Sequence, residues 1–199
     1  NKAYKGDKII GVVSQQETNT EDPDFGDLNQ VGTVARVVKQ LKMPDGSITI
    51  IIQGKKRFRV REAISSSPYL KASIDLLEDK TLVDEKIFLA TVSSLKDLAA
   101  KIIKMSPHIP SEASFVMKNI DSPAFLIHFI ASNLSNEVGE KQLVLETDNI
   151  GDRAKLVLQY LNKELELLEL KTQIQSKVRT DIDKQQRDYF LNQQLKTIQ

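Results

Sequence analysis

The chain has 199 residues, 28 of them Lys or Arg and 27 Asp or Glu, so its formal charge is +1, and 40% of its residues are hydrophobic. A chain this apolar buries enough surface to offset its ordering entropy, which excludes a disordered polypeptide, and the near-zero charge excludes a globally basic grip on nucleic acid. The absence of Cys removes disulfides, Cys-ligated zinc and thiol nucleophiles together and fits a reducing compartment.

No apolar run nears the roughly 20 residues of a membrane span. Residues 1–5 lead only into the short apolar run 9–13, so no secretory signal is read there. That run is β-branched and reads as a buried strand. Residues 17–29 are polar and acidic, with Pro23 and Gly26, and read as a loop. Residues 31–42 are again apolar and β-branched. Pro44-Asp45-Gly46 then supplies turn chemistry, because Pro fixes φ and Gly accepts a positive one. Residues 48–53 complete a hairpin, and Gly54 is expected to end it. Residues 57–62 form a separate strand, with Phe58 and Val60 on one side and Arg57, Arg59 and Arg61 on the other. Leu70, Ala72, Ile74 and Leu76 alternate along a fifth strand. Five short strands without intervening helices predict a small antiparallel sheet or open barrel.

Near Leu77 the apolar period changes from two to 3.6. Phe88, Val92, Leu95, Ala99 and Ile102 make one stripe of a helix that begins after Asp84 and ends at Pro107 and Pro110. Ser111 is placed to cap a second helix over 112–120. Ser122 caps a third, with Pro123 in its first turn, where a missing N–H costs nothing, and Phe125, Leu126, Phe129 and Ile130 as its apolar face. Residues 140–146 form a fourth. Thr147, Asp148 and Asn149 offer caps for a fifth, and from Asp152 to the end there is neither Pro nor Gly. A helix that long spans about 70 Å. Its apolar content thins to Leu170, Ile174, Val178 and Ile182 among Gln, Lys, Arg and Asp, so it must leave its own domain.

The motifs of catalysis are missing. There is no phosphate-binding glycine loop, no paired-His metal motif and no Gly-x-Ser-x-Gly elbow. His108 and His128 are twenty residues apart and read as structural or solvated. Ser65, Ser66 and Ser67 precede Pro68 as ordinary turn residues, and the acidic loop over 17–27 matches no calcium-binding spacing. No catalytic, cofactor-binding or metal residue is assigned. Lys55, Lys56, Arg57, Arg59 and Arg61 read as the solvated face of an antiparallel strand; the alternative is a polyanion stripe, with DNA as its partner. The stripe Leu170, Ile174, Val178 and Ile182 reads as an exposed seam for another subunit or domain, on two apolar residues per heptad.

Four segments carry a resemblance. Val31-Gly32-Thr33-Val34-Ala35, then Leu41-Lys42-Met43-Pro44-Asp45-Gly46, then Gln53-Gly54-Lys55-Lys56-Arg57-Phe58-Arg59-Val60 follow in the order of the N-terminal domain of the Lon protease family. Residues 177–199, with Gln185-Gln186-Arg187-Asp188-Tyr189-Phe190-Leu191-Asn192, resemble the long helix by which that family enters its ATPase module. The family's domain opens with a Pro-Leu-rich strand and a Phe-Pro loop, so part of the sheet is expected outside this stretch. The resemblance implies an α+β fold: a PUA-like β-domain over residues 1–80, a helical subdomain over 84–150 and a long helix over 151–199. It further implies a cytoplasmic ATP-dependent serine protease that uses ATP and Mg and a Ser–Lys dyad, none of which finds a matching position here. The implied role of this region is recognition of unfolded or degron-bearing proteins and assembly of a homo-hexamer with its own ATPase and protease domains. A helical groove takes apolar anchors and a sheet edge takes an extended strand. Phe115, Val116 and Met117 are the substrate-contact candidates, with core packing as the alternative for them.

Overall fold

A computed structural model describes residues 6–80, 84–106, 109–110 and 112–198, with side chains to residue 194. Four strands, β1 (Ile9–Val12), β2 (Val31–Lys42), β3 (Ile48–Ser65) and β4 (Lys71–Leu76), form one antiparallel sheet in the order β1-β2-β3-β4. Five helices follow: α1 (Glu85–Met105), α2 (Glu112–Lys118), α3 (Pro123–Asn133), α4 (Val138–Glu146) and α5 (Ile150–Ile198). The α+β class and its order along the chain are as expected from the sequence.

Local chemistry accounts for most boundaries. The β2–β3 turn closes through Met43 N–H to the Ser47 carbonyl at 2.9 Å, with Gly46 at φ +85°, a conformation glycine adopts without strain. The Asp45 carboxylate accepts the Ser47 N–H at 2.9 Å. In the acidic loop a 3₁₀ turn, Phe25–Asp27, is held by a reciprocal cap: Asp24 accepts from Phe25 N–H and Asp27 accepts from Asp24 N–H. Those two carboxylates serve the turn. Asp84 caps α1, Ser122 caps α3 and the Asn149 side chain caps α5. Pro107, His108 and Ser111 lie outside the described residues.

Three expectations are corrected. The run over 9–13 is not a buried strand, since β1 lies at the sheet's edge and leaves Ile9 and Val12 exposed. Gly54 does not end a strand. It pairs with Ala35 while Lys56 pairs with Val34, so Lys55 is the extra residue of a β-bulge and β3 runs on as one long, bent strand. Phe125 does not join the helical core. It is 58% exposed, and Leu126, Ile127, Ile130 and Ala131 form the buried face of α3 instead.

The apolar core is helical. Val92, Leu95, Ala99 and Ile102 of α1 meet Met117, α3, Leu134, Val144 and the first five turns of α5, down to Leu165, in one cluster that contains no strand residue. Of its hydrophobic side chains the sheet buries only Val31, Ala35, Val37 and Phe58 to a comparable degree. Gly32 is required there, since a Cβ would sit 2.5 Å from the Val12 carbonyl oxygen and 2.8 Å from Phe58. Beyond Leu168, α5 is exposed from Leu170 to Gln194, a rod on the order of 35 Å that packs on nothing described.

Candidate functional site

The sheet and the bundle meet through a polar clasp. Arg57 of β3 is 5% exposed. Its guanidinium donates to the Leu145 carbonyl at 2.8 Å and to Asp79 Oδ1 at 3.0 Å. Arg153 of α5 is fully buried and donates to the same Asp79 oxygen at 2.9 Å and to the Thr147 carbonyl at 2.7 Å. Asp148 stands 3.7 Å from Arg57 and 3.8 Å from Lys80. Two buried guanidiniums thus face two partly exposed carboxylates, with the exposed Lys80 beside one of them.

His128 of α3 closes the cluster, with Nε2 3.1 Å from Arg153 Nη1. Burial, then the Arg153 charge, pushes its pKa down to about 4, so the ring is neutral at pH 7. Arginine only donates, so Nε2 must accept and the ring proton sits on Nδ1. Burial works to raise the Asp79 pKa, but the Arg153 hydrogen bond and the charges of Arg153 and Arg57 outweigh it and hold the group below the ordinary carboxylate value. Arg153 is itself lowered by burial and by Arg57, against the pull of Asp79. The one hydrogen-bond partner found for this ring among the described residues is Arg153, so it orders an arginine within a joint between sheet and bundle.

A second tie lies beside the first. Gln142 of α4 donates to the Val31 carbonyl at 3.0 Å and accepts from Ser14 at 2.9 Å. Between these ties and the sheet opens a cleft of about 1040 Å³. Residues 52–57 of β3 line one wall, and Phe125 and Phe129 of α3, with Val138 and Lys141 of α4, line the other. The two phenylalanine rings lie 6.3 Å apart, tilted by 32°. Phe125 is free to be covered by a ligand because its helix is anchored by the opposite face.

The basic strand divides in two. Lys55 and Lys56 are exposed and line the cleft. Arg59 is exposed opposite Asp75, and Arg61 reaches the same carboxylate at 4.0 Å. Arg57 is removed from the expected solvated face, because the α4–α5 connection covers that side of β3 and supplies carbonyl acceptors. The Phe115, Val116, Met117 cluster also divides: consecutive residues on a helix point about 100° apart, so Phe115 is 72% and Val116 53% exposed while Met117 is buried in the core.

Leu170, Ile174, Val178 and Ile182 all lie about half exposed on α5. Their spacing is four residues throughout, and with exposed Leu167 the series reads three, four, four, four. A heptad alternates three and four, so this seam matches an eleven-residue repeat better and favours a nearly straight or right-handed packing partner. Phe125 and Phe129 were expected on the packed face of their helix and not in a cleft, and no local pattern joins Arg57 to Arg153. Arg57 and Arg153 are ninety-six positions apart, and only the fold brings them to one carboxylate. Among the described residues no group of three or more potential ligands gathers for a metal, and no described helix is long and apolar enough to cross a membrane.

Comparison with known proteins adds a second line. The family described as the ATP-dependent protease La (LON) substrate-binding domain matches residues 1–163. The chain is 52% identical over its whole length to a Lon protease of Flavobacterium johnsoniae and 45% identical to one of Cytophaga hutchinsonii, spanning 24% of each. The fold matches the N-terminal domain of a Mycobacterium avium complex Lon protease with a TM-score of 0.60 at 12% identity, covering 77% of this chain and 89% of that one.

Proposed function

The chain belongs to the Lon substrate-binding domain family, and from that premise we propose that it is the substrate-recognition and hexamer-assembly region of an ATP-dependent Lon protease. The matched family, whose description is substrate binding, carries the reading. The chain is about a quarter as long as the relatives it matches. ATP and Mg binding and Ser–Lys peptide hydrolysis belong, in this reading, to the other parts of such a protein, which works in the cytoplasm.

Two surfaces suit the two roles. The cleft offers an apolar wall, Phe125 and Phe129, beside a lysine-bearing strand. Aromatic anchors at a concave site suit capture of an unfolded segment, which exposes such side chains. The exposed stripe of α5 suits contact with another subunit or with the protein's own further domains, because a helix apolar on one narrow line is stable only when that line is covered. The clasp holds the two walls of the cleft in register.

The test is crosslinking of the full-length protein to unfolded casein, mapped to residues 1–199. Crosslinks within the cleft are expected, and none anywhere in these residues would defeat the recognition role. Assembly is tested separately. Replacing Leu170, Ile174, Val178 and Ile182 with Gln should lower the sedimenting mass of the full-length protein, and an unchanged mass counts against the seam.

A further inference from the structure

The floor of the cleft is the face of the sheet, with lining residues from β1, β2 and β3 and from the stretch after β4. From the opposite side α3 contributes Phe125, His128 and Phe129. Positions i, i+3 and i+4 share one side of a helix, so the histidine sits between two aromatic rings. Lys55, Lys56 and Lys141 line the cleft together with Glu78, so charge alone sets no preference there.

The two nitrogens of His128 have separate roles. Nε2 accepts from Arg153 at 3.1 Å, which leaves the proton on Nδ1, on another side of the ring. That N–H has no partner among the described residues. The buried side-chain nitrogens and oxygens without a partner there are Asp148 Oδ1 and Glu164 Oε2, so Nδ1 is not buried. The residue lines the cleft, and the clasp fixes the sense of its free nitrogen: while Arg153 holds Nε2, Nδ1 can only donate.

Resting on the substrate-binding reading above, we propose that His128 is a substrate-contact residue whose Nδ1–H donates to a backbone carbonyl of the bound polypeptide, with the apolar side chains next to that carbonyl lying on Phe125 and Phe129. A fixed donor between two aromatic rings suits an unpaired carbonyl flanked by apolar groups. An unfolded chain exposes that pair; a folded one spends its carbonyls on its own secondary structure and buries its apolar groups.

Two substitutions separate this contact from the clasp. In His128→Gln the amide oxygen reaches the place of Nε2 and still accepts from Arg153, but the donor at Nδ1 is gone. In His128→Asn the amide nitrogen takes the place of Nδ1 and still donates, but the acceptor for Arg153 is gone. The test uses the full-length protein and a fluorescent ten-residue peptide alternating Phe and Ser, with binding read by anisotropy and stability by urea midpoint. His128→Gln should weaken binding about fivefold with little change in midpoint, and His128→Asn should lower the midpoint and keep the affinity. Exchanging the peptide carbonyls one at a time for thiocarbonyls, which accept poorly, should weaken binding to the unsubstituted protein at one position. In His128→Gln that position should have no effect, a coupling that a purely structural histidine does not produce. Unchanged binding in His128→Gln, or weakening without that coupling, overturns the proposal. Phe125→Ser, at an exposed position, then decides what survives. Weaker binding in it leaves the cleft as the recognition site without the histidine contact. Full binding in both variants moves recognition out of the cleft, and no binding by the unsubstituted protein removes the contact and the reading it rests on together.

Discussion

The bundle and the sheet handle their apolar residues in opposite ways. The bundle buries Leu95, Leu126, Ile127, Val157 and Leu161 almost completely in one cluster. The sheet leaves Val38, Ile48, Ile50, Ile51 and Ile52 between 40% and 56% exposed. Helices of this length meet on several sides and shield one another. A single sheet has two faces and, among the described residues, no layer on most of either. The bundle is therefore the self-sufficient part, and the sheet is a surface that gains by being covered. The clasp between them is polar, and joints of that kind between domains resist motion less than apolar ones.

This contrast can be broken at the clasp first. Arg153→Met leaves Asp79 facing Arg57 alone and strips donors from the Thr147 carbonyl and His128. Loss of about 3–5 kcal/mol is expected, read from urea midpoints, because the Thr147 carbonyl and His128 lose a buried donor, at about 1–3 kcal/mol for each group left unsatisfied. Leu95→Ala, in a fully buried position of α1, should cost about 2–5 kcal/mol by the same measurement.

A pH series sharpens the comparison further. The folded pKa of His128 is lowered to about 4, while an unfolded histidine titrates near 6.5. Between these values the unfolded chain holds the extra proton, so stability falls as pH drops through that window, by about 1.4 kcal/mol per unit. His128→Asn should flatten the slope. The Asp79 contribution lies lower: it is present above the ordinary carboxylate pKa and lost as pH falls through the folded one. The smallest effect belongs to the sheet. Ile50→Ala, at a site 48% exposed, should change stability by no more than about 0.5 kcal/mol. A loss of the size expected for Leu95→Ala would show that the sheet face is covered in the intact protein.

What was legible in the sequence follows from the range of each interaction. The stripe of α1, its start at Asp84, the Pro44-Asp45-Gly46 turn and the Ser122-Pro123 start of α3 are set within a few residues, and the structure has them where they were expected. Family membership was carried by short ordered motifs, and the matched family agrees. The bulge at Gly54 was not legible, because a glycine that ends a strand and one that bends it look alike until the partner strand is in register. Phe125 was assigned to the wrong side of α3, since a helix apolar on nearly every face does not announce which face its neighbours will cover.

The site shows the same division more sharply. Lys55 and Lys56 could be picked out as a charged run, but not their place along a cleft. Arg57, in the same run and on the expected side of its strand, differs only because the α4–α5 connection crosses that side. By itself the sequence determined the elements, their order and the family, because caps, turns and periodicity act through nearest neighbours. Only the tertiary structure decided which cation was buried, which aromatic was left exposed and which histidine nitrogen stayed open. Those outcomes depend on which distant segment arrives to desolvate a side chain, and no local pattern records that.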